Sequence, residues 1–380
     1  MALYTVVVVG GGIGGLAAAV ALRRRGYQVT VLERAAEFTE AGAGLSLWPN
    51  AMRALSALGL AEPVSALSVA ETTGGVRDRT GRWLSRMDNS EFVRRHGWPL
   101  RVVHRADLLR TLVSALPQEC LRPGSEVHAV RPSGDGVDVE HSGGTVRADV
   151  VVGADGVHST LRERFWPDAP GPRYVGCTAW RMVTGPMGDL DADGAVLWGR
   201  GERIGFTKLP GGRFYCFATA TVRAGEAASD GEHAAVRRRF DRWPDPIPAL
   251  LAATPENAVL RHDVYDLPPL PAFVRGRLAL LGDAAHAMDP ALGQGACQAL
   301  EDAVTLAEAL GTNADVDSAL ASYDRSRRPR TQRIARRAGR LGAVGQWSSP
   351  PAVLLRDVAA RLTPASTTLR SMDSVLAWTP

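Results

Sequence analysis

A glycine-rich turn near the N terminus constrains the fold of this chain more than any other feature. The motif Gly10-x-Gly12-x-x-Gly15 follows a β-branched run at residues 6–9 and precedes a predicted helix at residues 16–25, which is apolar up to Leu22. An apolar run without polar alternation is typical of a parallel strand that is buried on both faces. The pattern therefore predicts a buried strand, a tight turn and a buried helix.

The second strand of this unit ends at an acidic residue. Residues 29–32 are mostly apolar, and Glu33 follows them directly. In a βαβ unit of this kind a pyrophosphate binds at the helix N terminus, where free N–H groups and the helix dipole favour negative charge. The acid accepts hydrogen bonds from the ribose hydroxyls of an adenosine. The unit predicts a dinucleotide site formed by Gly10, Gly12, Gly14, Gly15 and Glu33. The alternative is a tight turn that binds no ligand.

The rest of the chain predicts a discontinuous organisation. Residues 146–152 are expected to form one strand, and residues 175–220 read as short alternating strands of an antiparallel sheet. A buried strand returns at residues 277–281, and the chain from Gly293 onward is mostly helical in pattern. The fold class is therefore α/β, with a Rossmann-like domain, an inserted antiparallel β-sheet domain and a helical C terminus. The predicted boundaries are 1–70, 101–172 and 266–380 for the first domain, and 71–100 and 173–265 for the second.

A second glycine-containing segment distinguishes a long cofactor from NAD. The strand at residues 277–281 is followed by Gly282-Asp283, and then by Pro290 and Gly293-Gln294-Gly295 before a helix. Asp283 follows the end of a strand, where it can hold a sugar-like hydroxyl. The helix start at Gly293–Gly295 favours an anionic ring system. Two such helix starts, far apart in the chain, suit FAD.

These motifs together resemble the single-component FAD-dependent aromatic hydroxylases, the p-hydroxybenzoate hydroxylase superfamily. The resemblance spans nearly the whole chain and is strongest to the branch of salicylate hydroxylases, zeaxanthin epoxidases and FAD-dependent urate hydroxylases. The motifs that carry it are the N-terminal glycine motif with Glu33-Arg34, the segment Gly153-Ala154-Asp155-Gly156-Val157-His158-Ser159 with Arg162, and the segment Gly282-Asp283-Ala284-Ala285-His286.

The resemblance implies roles for residues outside the first turn. The implied FAD contacts are Arg34, Gly44, Arg105, Val130, Asp155, Asp283, Gly293, Gly295 and Ala296. It places Pro290 beside the flavin, with its backbone carbonyl toward the oxygen adduct. Arg203 and Tyr215 are implied to be catalytic and to contact the substrate, and Arg181 and Phe217 are further expected substrate contacts. Arg203 would stabilise a phenolate or enolate, and Tyr215 would orient it.

The activity implied by the resemblance is monooxygenation. NADH or NADPH, as a transient reductant, would reduce FAD, and O2 would form a flavin C4a-hydroperoxide that hydroxylates or epoxidises an aromatic or polycyclic small molecule. A secondary metabolite, as in antibiotic biosynthesis, is the favoured substrate type. An FAD-dependent oxidase or dehydrogenase without oxygen insertion is the alternative. A halogenase is disfavoured, because its tryptophan motif is missing and Lys208 is the chain's single lysine. A non-catalytic dinucleotide sensor is a further alternative.

Charge and cysteine usage restrict the partners and the compartment. The 44 basic and 40 acidic residues are nearly balanced, so nucleic-acid binding is not expected. The arginine run at residues 325–340 is expected to be a solvated helix face, interrupted by Pro329. The four cysteines, Cys120, Cys177, Cys216 and Cys297, are widely spaced, which favours free thiols in the cytoplasm. Glycines interrupt the apolar segment at residues 4–22, so we expect no membrane span. No metal site is expected, and the chain is expected to be a monomer or homodimer.

Overall fold

The computed structural model describes residues 4–39, 42–188, 190 and 192–380. Its strands are β1 (Thr5–Val9), β2 (Gln28–Leu32), β3 (Gly44–Leu47), β4 (Ser68–Ala70), β5 (Thr73–Asp78), β6 (Trp83–Asp88), β7 (Arg101–His104), β8 (Leu121–Arg122), β9 (Val127–Ser133), β10 (Gly136–His141), β11 (Gly144–Ala148), β12 (Val150–Gly153), β13 (Arg173–Val183), β14 (Ala195–Trp198), β15 (Glu202–Leu209), β16 (Arg213–Ala220), β17 (Leu260–Asp266), β18 (Val274–Arg275) and β19 (Leu278–Leu280).

The α-helices of the described residues are α1 (Ile13–Arg24), α2 (Pro49–Ala57), α3 (Ala61–Ala66), α4 (Ser90–His96), α5 (Arg105–Ser114), α6 (Thr160–Phe165), α7 (Glu232–Phe240), α8 (Ile247–Ala252), α9 (Asp283–His286), α10 (Gly295–Thr312), α11 (Val316–Gly345), α12 (Pro350–Leu362) and α13 (Ala365–Leu376). None of these helices is long and apolar enough to cross a membrane.

The first layer of the fold is a six-stranded sheet with the order β8-β2-β1-β12-β19-β18. β1 pairs in parallel with both β2 and β12, and β12 pairs in parallel with β19. The residues of β1 from Val6 to Val8 are fully buried, as an uninterrupted apolar strand requires. The predicted strand–turn–helix–strand unit is confirmed. Because the strand order reverses at β1, the turns after β1, β2 and β12 meet at one edge of this sheet.

Two buried helices, α1 and α10, cover the six-stranded sheet and pack against each other. α1 is alanine-rich, and its residues 15–22 are all buried, which is typical of a helix enclosed on all sides. Gly14 faces α10 closely, since a Cβ atom there would lie 3.2 Å from the Cβ of Ala299. The small residues of α1 therefore allow the two helices to approach, and this fixes the position of the turn that precedes α1.

The second layer is a seven-stranded sheet with the order β17-β13-β16-β15-β14-β5-β6. The expected antiparallel sheet at residues 175–220 is confirmed. One pair, β14 with β5, is parallel, because β5 and β6 enter this sheet from an earlier part of the chain. Even-numbered residues of β15 and β16 pack with α7 and α8 in a second hydrophobic core: Ile204, Phe206, Phe214, Cys216 and Ala218. The odd-numbered residues of these strands lie on the opposite face.

The expectation of a single strand at residues 146–152 is wrong. β11 belongs to a three-stranded sheet with β10 and β9, whereas β12 belongs to the six-stranded sheet. Asp149 separates them, and its carboxylate accepts a hydrogen bond from the Thr5 N–H at 2.7 Å. β11 is partly exposed and β12 is fully buried. The change from an alternating to a continuous apolar pattern marks this division.

The helical C terminus is confirmed, but the expected break at Pro329 is wrong. α11 runs without interruption from Val316 to Gly345 with Pro329 inside it. The run is also not a simple solvated face, because Arg327 is fully buried. Arg327 lies on the same face of α11 as the buried residues Tyr323, Thr331, Ile334 and Ala338, which follow the helical repeat.

Candidate active site

One large cavity joins the edge of the six-stranded sheet to the odd-numbered face of the seven-stranded sheet. Its volume is about 890 Å³, near the upper end of the range for ligand pockets. All but two of the expected site residues line it: Gly10, Gly12, Gly14, Glu33, Arg34, Gly44, Arg105, Asp155, Arg181, Arg203, Tyr215, Phe217, Asp283, Pro290, Gly293, Gly295 and Ala296. The structure thus brings together residues that are far apart in the chain.

The first end of the cavity is the turn between β1 and α1. Gly12 is the N-cap of α1, so the free N–H groups of the first helical turn lie at this end. Gly10 has a φ of +108°, and a Cβ atom on it would lie 2.4 Å from the carbonyl oxygen of Ala154. Only glycine permits this approach of the turns that follow β1 and β12.

Two expected cofactor contacts, Gly15 and Val130, do not line the cavity. A Cβ atom on Gly15 would lie 2.0 Å from the carbonyl oxygen of Gly10, so Gly15 serves the close packing of helix on strand. Val130 lies in β9 and is buried in the hydrophobic core. Its neighbours along the chain, Ser125, Glu126 and Val127, line the cavity instead.

The Glu33 side chain connects the glycine turn to the end of β2 through hydrogen bonds. The Gly11 N–H donates to Glu33 Oε2 at 2.6 Å, and the Ala35 N–H donates to Glu33 Oε1 at 2.8 Å. The carboxylate is therefore fixed at the cavity wall, with acceptor capacity left for two hydroxyl groups. Arg34 is exposed beside it.

Replacement of Glu33 by alanine is expected to lower the affinity for FAD about 10- to 100-fold, because charge-assisted hydrogen bonds contribute about 1.5–3 kcal/mol. Titration of the apoprotein with FAD, followed by flavin fluorescence, measures the change. The control is Glu37→Ala, at an exposed acid close in sequence. Equal affinity of the two variants would contradict a role for Glu33 in adenosine binding.

Three polar groups line the middle of the cavity. Asp155 Oδ2 accepts a hydrogen bond from the Leu161 N–H at 3.2 Å, whereas its Oδ1 is buried and has no partner among the described residues. Asp283 begins α9, and its side chain is exposed to the cavity. Arg105 begins α5 and supplies a positive charge. An unpartnered carboxylate oxygen in a cavity wall indicates a site for a donor group of a ligand.

The far end of the cavity is the turn that leads into α10. Gly293 is left-handed, with a φ of +60°, and Gly295 begins the 18-residue helix. Trp48 Nε1 lies 3.0 Å from the position of a Cβ atom on Gly293 and has no partner among the described residues. The carbonyl oxygen of Pro290 accepts a hydrogen bond from the Gly293 N–H at 2.9 Å. This carbonyl therefore supports the turn, in addition to the role that the resemblance implies for it.

A buried polar cluster, which we call the α10 cluster, lies behind this turn. Arg327 Nε donates to Asp302 Oδ1 at 2.6 Å, and Arg327 Nη1 donates to Glu301 Oε2 at 2.5 Å. His286 Nε2 lies 2.6 Å from Asp302 Oδ2. Asn50 Nδ2 donates to Glu301 Oε1 at 2.6 Å. The cluster therefore connects α2, α9, α10 and α11, and it fixes the N terminus of α10 at the cavity.

The odd-numbered face of the seven-stranded sheet forms the opposite wall. Tyr215 packs directly on Gly44, where a Cβ atom would lie 2.2 Å from the ring, and Phe217 packs on Gly205 in the same way. The two aromatic rings are 6.2 Å apart. Burial raises the pKa of Tyr215, which the positive charge of Arg181 opposes. The wall thus offers flat aromatic surface and a neutral phenol.

Arg203 is a buried cation beside this aromatic surface. Only 5% of its surface is exposed, and its Nε donates to Thr219 Oγ1 at 3.2 Å. Burial lowers the pKa of Arg203, and the negative charge of Asp289 opposes that effect. A guanidinium that lines a cavity with few partners is suited to hold an anionic oxygen. Arg181 lies two strands away from Arg203, opposite Phe217.

Glu71 and Thr207 also line the cavity, although the sequence motifs did not point to them. Glu71 comes from the connection between β4 and β5, and Thr207 lies on β15. Neither belongs to a glycine motif or to a charged run. The odd-number alternation of Arg203 and Thr207 along β15 is a signal that places Thr207 on the cavity face.

The residues at the cavity fit FAD. Backbone N–H groups lie at the N termini of α1 and α10, and Glu33 presents a fixed carboxylate at the end of β2. Asp155 and Trp48 each carry a buried atom that has no partner among the described residues. The FAD binding domain family matches residues 3–338 of the chain. This chain is a member of that family.

Other comparisons specify the type of flavoprotein. Aurachin C monooxygenase/isomerase of Stigmatella aurantiaca is 37% identical over 360 residues, which cover 94% of each protein. 2-Heptyl-3-hydroxy-4(1H)-quinolone synthase of Pseudomonas aeruginosa is 33% identical over 365 residues, which cover 95% of this chain and 94% of that protein. The structure of Klebsiella pneumoniae HpxO with FAD and uric acid has a TM-score of 0.92 and 29% identity, and covers 99% of this chain and 97% of that chain.

These similarities confirm that the protein is an FAD-dependent monooxygenase of the p-hydroxybenzoate hydroxylase superfamily. The expected α/β fold with its helical C terminus is confirmed as well. The alternative of an oxidase or dehydrogenase without oxygen insertion receives no support from these relatives.

Proposed function

We propose that this monooxygenase inserts one oxygen atom from O2 into a planar, two- or three-ring aromatic secondary metabolite that carries an anionic or enolisable oxygen. The relatives named for aurachin C, for a heptyl-substituted hydroxyquinolone and for urate support this substrate class. Hydroxylation is the favoured outcome, and epoxidation is the second.

The observation that carries this proposal is the wall formed by Phe217, Tyr215 and Arg203. Flat aromatic surface lies next to a buried guanidinium in the same cavity as the cofactor residues. A planar anionic ring binds to such a wall by stacking and by a charge-assisted hydrogen bond. Apolar side chains extend the cavity beyond the wall and suit an alkyl substituent: Met87, Leu100, Met288, Leu292, Leu341 and Met372.

We propose the following roles for the residues of the cavity. Bound FAD supplies electron transfer from NADH or NADPH and the activation of O2. The glycine turn, Glu33, Arg34, Arg105, Asp155 and Asp283, together with the α10 turn at Gly293, Gly295 and Ala296, hold that cofactor. Arg203 holds the substrate oxygen in its anionic form, which makes the ring carbon electron-rich.

The other wall residues orient the ring and keep water away. Phe217 stacks on the ring, and Tyr215, which lies opposite Thr207 on the neighbouring strand, orients the ring through its aromatic face. Arg181 attracts the anion toward the wall, and Pro290 shapes the cavity at the α10 turn. Exclusion of water matters because it protects reactive species from unproductive decay.

We further propose the two-domain division with the boundaries predicted above, a monomer or homodimer, and a cytoplasmic location. The cysteines are free and buried, which supports a reducing compartment. The assignment of β5 and β6 to the seven-stranded sheet supports the placement of residues 71–100 in the substrate domain.

The proposed function is tested by NAD(P)H consumption of the FAD-loaded protein with quinolones, phenols and purines, with peroxide counted alongside. We expect a quinolone or a related ring to accelerate consumption with little peroxide, and ¹⁸O from ¹⁸O2 to appear in the product. Consumption that yields only peroxide, or product without ¹⁸O, would contradict monooxygenation of that class.

Replacement of Arg203 by methionine is expected to lower kcat/KM about 10- to 100-fold while FAD content stays unchanged, because a charge-assisted hydrogen bond to the substrate is lost. The control is Arg200→Met, at an exposed arginine that precedes β15. Steady-state kinetics with the best ring substrate measures both variants. Similar kinetics for the two would show that Arg203 does not contact the substrate.

A further inference from the structure

Glu71 is a carboxyl group of the substrate wall to which the mechanism above gives no role. It lies between β4 and β5, and its N–H donates to the Leu100 carbonyl at 2.9 Å. Its Oε1 accepts a hydrogen bond from Thr207 Oγ1 at 2.9 Å. The part of Glu71 that is exposed faces the cavity, so the position of the carboxyl group is fixed at the wall.

The absence of a side chain at Gly194 leaves the space that the Glu71 carboxyl group occupies. A Cβ atom on Gly194 would lie 1.9 Å from Glu71 Oε1. Burial raises the pKa of Glu71 to about 7, the Thr207 hydroxyl lowers it, and the charge of Asp193 raises it. The protein therefore offsets little of the free-energy cost of burying this carboxylate. A ligand group that donates a hydrogen bond to it would offset more of that cost.

A second acceptor lies at the same end of the cavity. Asn89 lines the cavity, is 2% exposed, and its Oδ1 has no hydrogen-bond partner among the described residues. Buried oxygens without partners are rare in proteins. This end of the wall therefore presents the Glu71 carboxyl group and an Asn89 oxygen that has no partner among the described residues.

The positions of Glu71 and Arg203 in the cavity can be compared along strand β15. Thr207, which contacts Glu71, and Arg203 are four residues apart on β15, which corresponds to about 13 Å. Gly205 lies between them, with the Phe217 ring packed on it. A two- or three-ring system that lies over Phe217 can thus approach Arg203 with one edge and Glu71 with the opposite edge.

We propose that Glu71, together with Thr207 and Asn89, recognises a hydrogen-bond donor of the substrate, a ring N–H or hydroxyl on the edge opposite the oxygen that Arg203 holds. This inference rests on the proposed function. It narrows the substrate class to ring systems that carry an anionic oxygen on one edge and a hydrogen-bond donor on the opposite edge. Glu71 is a specificity-determining residue in this role.

The test compares ring compounds with their methylated forms, which lack the donor. The probes are 2-heptyl-4(1H)-quinolone and urate, each paired with the derivative methylated at a ring nitrogen. Dissociation constants are measured by flavin fluorescence on the FAD-loaded protein without NAD(P)H, so turnover does not enter. We expect methylation to weaken binding about 10- to 100-fold in the wild type.

Variants assign this discrimination to Glu71. In Glu71→Met both members of a pair are expected to bind equally, whereas Glu71→Gln, which keeps one acceptor oxygen, retains part of the difference. Glu62→Met, at an exposed glutamate, is the control and should discriminate as the wild type does. The flavin absorption spectrum shows that each variant is folded and loaded.

Each outcome separates this inference from the proposed function. If the wild type hydroxylates a ring compound but binds its methylated form equally well, the role of Glu71 is wrong and the proposed function stands. The role of Glu71 would also be overturned if methylation weakened binding to Glu71→Met as much as it weakens binding to the wild type. Failure of the wild type to bind any of the probes would overturn both the substrate class and its narrowing.

Discussion

Replacement of Arg327 by methionine is expected to destabilise the protein by about 3–5 kcal/mol, because removal of one partner leaves a buried charge uncompensated. Arg327, Glu301 and Asp302 are each fully buried. Arg327 also donates to the carbonyl and the side-chain oxygen of Gln298, which would lose these bonds. Urea unfolding of the FAD-loaded and FAD-free protein measures the change.

The matched control for this prediction is Arg333→Met, at an exposed position of the same helix. A surface change of this kind usually stays within about 0.5 kcal/mol. We also expect the loss of Arg327 to weaken FAD binding, since the α10 cluster fixes the N terminus of α10. Equal unfolding curves for the two variants would refute the assignment of Arg327 to the core.

The pH dependence of stability provides a separate check on the α10 cluster. Burial alone would raise the pKa of Asp302, but the charges of His286 and Arg327 outweigh it and hold the pKa well below its ordinary value. A carboxyl with a depressed folded-state pKa stabilises the protein above its unfolded pKa of about 4, and the contribution is lost as pH falls through the folded value. The stability difference between wild type and Arg327→Met should therefore shrink as pH falls below about 4.

Replacement of Gly10 by alanine is expected to destabilise the protein by about 2–4 kcal/mol and to lower FAD affinity at least tenfold. The positive φ contributes strain of about 1–2 kcal/mol, and the contact of the new Cβ with the backbone of Ala154 adds overpacking. Ala154 is part of the turn after β12 that carries Asp155. The change therefore separates two turns that both line the cavity.

Gly144→Ala is the control for Gly10→Ala. Gly144 also has a positive φ, of +130°, but no atom lies within 4 Å of its added Cβ. This variant should show the strain alone, without an effect on FAD. Isothermal titration of both apoproteins with FAD and their urea unfolding curves measure the difference. Equal losses in the two variants would mean that the close approach of the two turns does not matter.

The end of the cavity at the turn after β1 could be predicted from the sequence because its residues lie close together along the chain. Gly10, Gly12 and Glu33 belong to one βαβ unit, and their spacing follows from strand and helix geometry. Val130 was expected at the cofactor site but lies in the hydrophobic core. The direction of a single valine in a β-strand depends on register, which the sequence alone does not determine. The division of residues 146–152 between two sheets likewise depends on which neighbours each strand pairs with.

The substrate end could be predicted only in part. Arg203 and Tyr215 were expected from the family resemblance, and both line the cavity. Glu71 and Asn89 were not expected, because they arrive from a separate segment that joins the seven-stranded sheet through the pairing of β14 with β5. Arg327 was not distinguished from the other arginines of the run at residues 325–340. Its position on the apolar face of α11 nevertheless follows from the helical repeat.

Side chains alternate between the core and the cavity along β15 and β16, so substitutions that affect packing and substitutions that affect the cavity fall at different positions. Even-numbered residues fill the core against α7 and α8, whereas the odd-numbered residues face the cavity: Arg203, Thr207, Tyr215, Phe217 and Thr219. Substitutions at the odd positions can alter substrate range while the packing that sustains the sheet stays intact. A lineage of such enzymes can therefore acquire new ring substrates by changing one face of two adjacent strands, with little loss of folding stability along the way.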